Sequence, residues 1–228
     1  MSDVHPTASI APGARLARGV RVGPYAVVED GVSVGEGCEI GAHAVVKRFT
    51  TLGRRNRVHE HACLGGEPQD VKFGGEPSAL VVGDDNTLAN GAALAGHIRV
   101  EDHVFFSSNV GAHQFVRFGR YAMVGGKSKI VQDVLPFFTT DGNPPRVRGL
   151  NTVGLRRAGF SPESRRALRR AHRLLFREGL PLASALAALA ELDDEHVRHL
   201  SDFIRASRRG FTRAARRRGG DAEDAELS

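Results

Sequence analysis

The stretch VGPYAV-VEDGVS-VGEGCE-IGAHAV, residues 22–45, repeats a pattern of six residues. Each unit starts with a large aliphatic residue and has a small or short apolar residue at its fifth position, as at Ala26 and Cys38. A period of six is too long for strand alternation and does not match a helical turn. It is typical of a triangular solenoid in which one hexad forms each side and the aliphatic residues fill the interior.

The same register extends over most of the chain. It occupies Val4, Ile10, Leu16, Val22, Val28, Val34, Ile40, Val46, Leu52, Val58 and Leu64, and then Val82, Leu88, Leu94, Val100, Phe106, Ala112, Phe118, Val124 and Ile130. The break between positions 64 and 82 equals three hexads, so the phase is kept through it. Glycine often follows the aliphatic residue, as at Gly23 and Gly41, and there we predict the turns between sides.

These observations predict a mainly β protein. With three hexads per coil, the span 4–130 makes about seven coils that stack in parallel at roughly the 4.8 Å spacing of paired strands. We therefore predict a left-handed parallel β-helix over residues 1–150, built from hexapeptide repeats.

The C-terminal part follows a different pattern. Ser161 and Pro162 form a helix start, with serine as the N-cap and proline at the first helical position. The pattern predicts helices from there to about residue 178, from near 182, and from near 193 to about 210. We predict a helical domain at 151–212, which covers the open end of the solenoid, and a disordered tail at 213–228.

Composition excludes several classes of protein. Aromatic residues make up 6% of the chain and Trp is absent, while 27 glycines favour many tight turns over a core of large aromatic rings. The two cysteines, Cys38 and Cys63, have no metal or redox spacing, so we expect reduced thiols. The N-terminus lacks a secretion signal, and no apolar run approaches the roughly 20 residues of a spanning helix. We expect a soluble, cytoplasmic protein without stable membrane insertion.

The net charge of +6 is unevenly distributed. Residues 1–145 contain 14 Lys and Arg against 15 Asp and Glu, whereas residues 146–228 contain 18 Arg against 11 Asp and Glu. A basic C-terminal part can attract an acidic protein, a nucleic acid or an anionic membrane surface. A solvated, arginine-rich helical surface is an equally good interpretation of the charge alone.

Histidines recur at the period of a coil. Spacings that are multiples of three hexads predict two columns on the solenoid surface, namely His43, His61 and His97, and His5, His59 and His113. Most single surface histidines are structural, but imidazoles grouped beside a polar loop suit proton transfer near neutral pH. That loop is the Gly- and Pro-rich interruption at residues 66–78, which we expect to leave the solenoid wall. No cluster has the spacing of a metal site, and we expect neither a metal nor a cofactor.

Several segments together carry a family resemblance. They are His5-Pro6-Thr7-Ala8 and the stretches 66–72, 94–97, 113–115, 141–144 and 151–160. With these segments, over roughly residues 4–212, the chain resembles the acyl-carrier-protein-dependent UDP-N-acetylglucosamine O-acyltransferases, which start lipid A biosynthesis. The resemblance implies a cytoplasmic homotrimer with active sites between neighbouring solenoids. It also implies transfer of an acyl chain from acyl carrier protein to the 3-hydroxyl of the sugar, with the basic helices docking the carrier protein and no nucleic acid as partner.

The resemblance assigns roles to particular residues. Those expected to contact substrate are Gln69, Asp70 and Lys72 at the sugar and phosphate, His97, His113 and Gln114 along the cleft, and Asn151 and Arg157 at the nucleotide. Gly96 would offer its N–H to the oxyanion.

The chain also departs from the family. Members carry their catalytic histidine within Ala-His-Asp-Cys, on a coil that precedes Leu-Ala-Gly-His, whereas here Leu88 leads directly to Ala89, so about two coils and a loop are missing. One coil before Gly96 we expect Ser78 in the place of the general base, and Val153 and Ala158 replace an acidic and a basic residue. Three interpretations follow: an acyltransferase that uses His61 or His97 as base, a binding paralogue without turnover, or an acyltransferase with another acceptor.

Overall fold

The computed structural model describes residues 2–67 and 74–215. It contains a parallel β-solenoid of seven coils with three sheets, as predicted from the hexads. Sheet A contains β1 (Asp3–Val4), β4 (Arg21–Val22), β7 (Glu39–Ile40), β10 (Arg57–Val58), β13 (Thr87–Leu88), β16 (Phe105–Phe106) and β19 (Met123–Val124). Sheet B contains β2 (Ser9–Ile10), β5 (Val27–Val28), β8 (Val45–Val46), β11 (Cys63–Gly66), β14 (Ala93–Ala95), β17 (Gly111–Ala112) and β20 (Lys129–Ile130). Sheet C contains β3 (Arg15–Leu16), β6 (Ser33–Val34), β9 (Thr50–Leu52), β12 (Leu80–Val82), β15 (Arg99–Val100) and β18 (Arg117–Phe118).

The predicted register forms the core. From Val22 onward every one of its aliphatic or aromatic positions is buried, whereas Val4, Ile10 and Leu16 in the first coil are only partly covered. The fifth position of the hexads is also inside, and Ala26 and Cys38 are fully buried. Burial of a Val or Leu side chain contributes about 1.5–3 kcal/mol, so the repeat itself supplies most of the driving force for the solenoid.

The glycine turns predicted after the aliphatic residue were wrong. The corner residue with positive φ lies two positions further on, as at Tyr25 (φ 57°) and His43 (φ 59°). Gly23 and Gly41 are needed because coils approach closely: a Cβ on Gly23 would lie 2.9 Å from the backbone nitrogen of Ala42, and one on Gly41 2.8 Å from that of Glu60.

Coil four is longer than the others. Elsewhere a strand pairs with the strand three hexads later, as Glu39 does with Arg57, but Arg57 pairs with Thr87 and Cys63 with Ala93, which are five hexads later. Coil four therefore contains two hexads more than the other coils. The phase of six is kept, as predicted, because the extra length is a whole number of hexads.

The predicted histidine columns were wrong for this reason. The extra residues put Gly91, rather than Ala79, above His61, since the N–H of Gly91 donates to the carbonyl of Glu60. His43 and His61 do share a column, with ring centroids 5.1 Å apart, but His97 stands at another corner.

The second column separates in the same way. His59 is followed by Ala89, because the N–H of His59 donates to the carbonyl of Leu88. His113 instead belongs to the column of Ala95. His5 and His113 thus lie at different edges of the solenoid.

A hairpin and four helices follow the last coil. The hairpin of β21 (Phe138–Asp141) and β22 (Arg146–Leu150) pairs with β19 and was not predicted. The helices are α1 (Thr152–Arg157), α2 (Pro162–Phe176), α3 (Leu182–Ala190) and α4 (Glu195–Arg205). The predicted start of α2 is confirmed, since Ser161 accepts a hydrogen bond from the N–H of Ser164 at 3.0 Å.

The helices have their own core and contact the side of the last coils. This second core starts at Leu135 and includes Phe138 and Leu168. Arg117 in β18 donates to the carbonyl of Phe203 at 2.8 Å. Of the predicted tail, residues 216–228 lie outside the described residues, but its start is attached to the hairpin, because the N–H of Val147 donates to the carbonyl of Arg213.

The sequence predicts that the chain has no membrane-spanning helix and that its two cysteines are reduced. Across residues 2–67 and 74–215, no helix has the length and apolar character needed to cross a membrane. Cys38 and Cys63 are both free thiols, and burial raises the pKa of each above its usual value.

Candidate active site

A cavity of about 440 Å³ lies on the outer face of sheet B, over coils four to seven. Its floor is formed by small outward-facing residues on successive strands, among them Cys63, Ala93 and Gly111. On the side where the strands end it is lined by His113, Gln114 and Glu67, while Lys129 of coil seven adds a charged group to the floor. A mostly apolar surface with a few polar groups at its end suits a ligand with an aliphatic chain and a polar head.

His113 and Gln114 form the polar end of the cavity. The Gln114 side chain is 7% exposed, and its main-chain carbonyl oxygen lies 3.3 Å from Nδ1 of His113. A carbonyl oxygen only accepts hydrogen bonds, so Nδ1 carries the proton and Nε2 of the neutral ring is left as an acceptor. The resemblance placed both residues along the cleft, and both line the cavity.

Gly96 is buried between coils. Its N–H donates to the carbonyl of Gly66 in coil four at 2.8 Å. An added Cβ would lie 2.5 Å from the carbonyl oxygen of Ser78 and 2.6 Å from its Oγ, which confirms that Ser78 stands one coil before Gly96. The N–H expected to bind an oxyanion is therefore already used within the solenoid, and it must leave Gly66 before it can donate to a substrate.

His97 follows Gly96 at a corner of the solenoid. Its ring stacks on Phe115 with centroids 4.7 Å apart, and Phe115 is 51% exposed. Nε2 of His97 is buried and makes no hydrogen bond within residues 2–67 and 74–215. A buried ring nitrogen without a partner costs about 1–3 kcal/mol. The His97 side chain is therefore kept here either for its packing against Phe115 or to bind a ligand, and not for a hydrogen bond within the protein.

His61 is not brought together with His97. It stacks on His43, which in turn stacks on Tyr25 with ring centroids 5.2 Å apart, at the corner between sheets A and B. Its side chain is exposed and does not line the cavity. The interpretation of His61 as a base beside His97 depended on the shared column, and that geometry does not exist here.

The predicted nucleotide contacts lie at the start of the helical region. Asn151 caps α1: its Oδ1 accepts from the N–H of Gly154 at 3.1 Å, and its Nδ2 donates to the carbonyl of Tyr121 at 2.9 Å. Both polar atoms of that amide therefore connect α1 to the solenoid. Arg157 is exposed in the last turn of α1.

The loop residues Gln69, Asp70 and Lys72, expected at the sugar and phosphate, lie outside the described residues. Elsewhere, in 2–67 and 74–215, no group of three His, Cys, Asp or Glu side chains is arranged to hold a metal ion.

The cavity floor was missed in the sequence, although a signal for it exists. The outward residues of sheet A in coils two to four are Arg21, Glu39 and Arg57, as expected for a solvated face. The corresponding residues of sheet B are Val27, Val45 and Cys63, of which Cys63 lines the cavity. The column continues along the floor with Ala93 and Gly111 and ends at Lys129. An apolar outward column is unusual on an exposed strand and could have indicated a binding face.

Comparisons with known proteins agree with this geometry. Residues 133–212 match the family described as UDP-N-acetylglucosamine O-acyltransferase, domain 2, and residues 13–48 match the bacterial transferase hexapeptide family. A relative from Verminephrobacter eiseniae, named acyl-[acyl-carrier-protein]–UDP-N-acetylglucosamine O-acyltransferase, is 41% identical over 262 residues, which cover 93% of this chain and 100% of the relative. A protein of the same name from Thiobacillus denitrificans is 43% identical over 258 residues, with the same coverage of both chains.

Solved structures show the same likeness. LpxA from Acinetobacter baumannii is 31% identical, with a TM-score of 0.68 over 92% of this chain and 99% of the other. The acyltransferase from Bacteroides fragilis is 26% identical, with a TM-score of 0.70 over 93% and 98%.

The alignments also show the shortening. The alignment with the Verminephrobacter relative runs over 262 residues, although this chain has 228 residues in all and only 93% of it is aligned. Dozens of positions of the relative therefore have no counterpart here, a number consistent with the expected loss of about two coils and a loop. With relatives above 40% identity that are matched along their full length, the chain belongs to the acyl-carrier-protein-dependent UDP-N-acetylglucosamine O-acyltransferase family.

Proposed function

We propose that the chain moves an acyl group from acyl carrier protein to the 3-hydroxyl of the sugar in UDP-N-acetylglucosamine, a step of lipid A biosynthesis. The observation that carries this proposal is the cavity on sheet B, whose apolar floor ends at His113 and Gln114. An aliphatic chain on the floor would bring its thioester to the polar end, where the sugar hydroxyl meets an imidazole. The family's substrates, named in the relatives, are of this kind.

The chemistry needs a proton acceptor. The hydroxyl oxygen attacks the thioester carbonyl carbon and the C–S bond breaks, while the hydroxyl proton passes to Nε2 of His113 and then to the leaving thiolate. Of the three histidines considered, His113 is the one that lines the cavity, and its ring presents an acceptor nitrogen. An imidazole has a pKa suited to this transfer near neutral pH.

Charge and shape support the partners. Helix α2 carries a series of arginines that offers a basic face to an acidic carrier protein, namely Arg165, Arg166, Arg169, Arg170 and Arg173. The cavity is open along one side in a single chain, and a neighbouring copy in a cytoplasmic homotrimer would close it. Such closure would exclude water from the thioester.

Two observations favour a second candidate, binding of carrier protein and nucleotide sugar without turnover. The N–H of Gly96 is held by Gly66, and the sequence contains no Ala-His-Asp-Cys segment, in which the family resemblance places the catalytic histidine. Loss of a general base typically slows a reaction by about 10²–10⁴-fold.

The test incubates the purified chain with an acyl-carrier-protein thioester and UDP-N-acetylglucosamine. Mass spectrometry follows the acylated sugar, and a thiol assay follows the released carrier protein. We expect sugar-dependent thiol release that His113→Gln reduces by about 10²-fold or more. His97→Ala tests the neighbouring corner of the solenoid. His43→Ala, which lies outside the cavity, serves as the control. Binding of carrier protein without any acylated sugar would overturn the proposal in favour of the second candidate.

A further inference from the structure

Arg209 lies beyond the end of α4, is itself exposed, and contacts Gln114, a residue that lines the cavity. Its Nη1 donates to the main-chain carbonyl oxygen of Gln114 at 2.9 Å. The same oxygen lies 3.3 Å from Nδ1 of His113. A carbonyl oxygen has two lone pairs, and here one meets the guanidinium and the other meets the imidazole.

The backbone around Arg209 is fixed to the last coil on both sides. Ser207 Oγ donates to Oδ2 of Asp133 at 2.8 Å. The N–H of Asp133 donates to the carbonyl of Gly210 at 3.0 Å, and the N–H of Thr212 donates to the carbonyl of Asp133 at 2.9 Å. Because the backbone is anchored before and after Arg209, holding the guanidinium against Gln114 requires the ordering of this side chain but of no further backbone.

The position of this carbonyl decides which nitrogen of His113 carries the proton. While the oxygen faces Nδ1, the neutral ring keeps its proton there and presents Nε2 as an acceptor. A rotation of the Gln114 peptide would remove that constraint and let the proton move to Nε2, which then could not accept one from a substrate. The charge-assisted bond from Arg209 opposes such a rotation.

We propose that Arg209 is a positioning residue for His113. It fixes the Gln114 carbonyl, and through it the Nδ1-protonated form of the His113 ring. The C-terminal segment thereby completes the polar end of a cavity formed by the solenoid. This inference rests on the proposed function, in which Nε2 of His113 accepts the hydroxyl proton.

The test compares Arg209→Ala and Arg209→Lys with Arg208→Ala, the matched control at an exposed neighbouring arginine. Nitrogen NMR of the imidazoles at pH 8, with His113 assigned by His113→Gln, reports which nitrogen is protonated. We expect the Nδ1-protonated form in the wild type and in Arg208→Ala, a mixture of forms in Arg209→Ala, and partial recovery in Arg209→Lys, which retains one donor and the charge. Unchanged His113 signals in Arg209→Ala would overturn the proposal.

Kinetics supply a second readout. We expect kcat of Arg209→Ala to fall roughly tenfold with little change in KM, because a charge-assisted bond is lost behind the proton acceptor and not at a contact with substrate. A rise in KM alone would contradict this role. A wild type without turnover would overturn the proposed function only, since the imidazole signals still decide the role of Arg209. If Arg209→Ala does not fold, the shift in Arg209→Lys relative to Arg208→Ala decides it.

Discussion

Gly96 illustrates how a single residue is determined by the coil beneath it. The atoms of Ser78 occupy the space in which a side chain at Gly96 would lie, so its small size is needed for the stacking itself. Residue spacing predicted this pair correctly, because no further interruption separates Ser78 from Gly96 and the two positions are three hexads apart. The N–H bond from Gly96 to Gly66 could not be predicted, since it depends on how the chain leaves β11.

We expect Gly96→Ala to lower the free energy of unfolding by about 1–3 kcal/mol, the usual cost of forcing atoms into a packed interior. The added methyl group meets backbone as well as the Ser78 side chain and cannot be accommodated by a rotamer change. Denaturant unfolding measures the effect. Gly111→Ala is the matched control, because nothing lies within 4 Å of a Cβ there. Equal stability of the two variants would show that the coils can separate at Gly96 without cost.

His172 gives a residue-scale prediction about pH. Burial, and then the charges of Arg177 and Arg173, lower the pKa of His172 to about 4. The unfolded chain binds this proton near pH 6.5 and the folded chain does not, so stability is lost as pH falls from about 6.5 to 4. We expect a loss of about 2 kcal/mol over that window, after allowance for partial exposure. His172→Gln should reduce the slope by that amount, and part of the slope that remains should come from His196, whose pKa is also lowered by burial. A slope that is the same in His172→Gln as in the wild type would contradict the assignment.

At the scale of elements, the sequence predicts what repeats and not what interrupts. The coils and the start of α2 follow from a strict period and from an N-cap, which are local signals. The extra length of coil four could not be predicted, because an insertion of two hexads preserves the six-residue phase. It nevertheless shifts every later residue by two of the three sides of the solenoid. For this reason the prediction joined His61 to His97, although the structure separates them. The hairpin of β21 and β22 lacks hexads. Its connection does carry turn signals, Asp141-Gly142 and Asn143-Pro144, but they do not show by themselves which strands pair.

One buried carboxylate takes part in the contact between the solenoid and the C-terminal region, beside pairs such as His199 with Glu101. Asp133 is 1% exposed and accepts hydrogen bonds from the main chain and side chain of Arg117 and from Ser207. We expect Asp133→Ala to cost about 3–5 kcal/mol, because it leaves Arg117 without its partner in a mostly buried position. Thermal and denaturant unfolding measure this. Asp141→Ala, which breaks the more exposed 3.5 Å pair with Arg148, should cost less than about 1 kcal/mol. Equal losses of stability in the two variants would mean that burial does not strengthen the pair of Asp133 and Arg117.

At the scale of the whole molecule, the shortening changes which coils are neighbours. Loss of about two coils, which we infer from the sequence, would bring every later element about 10 Å nearer the start of the stack than in the longer relatives, at roughly 4.8 Å per coil. The structures from Acinetobacter baumannii and Bacteroides fragilis align over more than 90% of this chain, with TM-scores of 0.68 and 0.70. In this chain Gly66 lies next to Gly96 and accepts a hydrogen bond from the N–H that the family resemblance assigns to the oxyanion.

This geometry predicts the result of restoring the missing coils. The segment of the Thiobacillus denitrificans relative that has no counterpart here would be inserted between Leu88 and Ala89, in phase with the hexads. A new coil then lies beneath Gly96, and the N–H of Gly96 no longer donates to Gly66. One oxyanion donor is worth about 10²–10³-fold in turnover and a general base about 10²–10⁴-fold, so we expect acyl transfer to rise by at least about 10²-fold.

A second insertion, with the histidine of its Ala-His-Asp-Cys segment replaced by alanine, separates the two contributions. If the N–H of Gly96 limits the present chain, this variant should retain part of the gain, because it frees the N–H without supplying a base. If only the base is missing, the gain should disappear. Turnover that stays at the level of the uninserted chain in both variants, with the solenoid intact by circular dichroism, would show that neither group limits the reaction and that His113 and its surroundings set the rate.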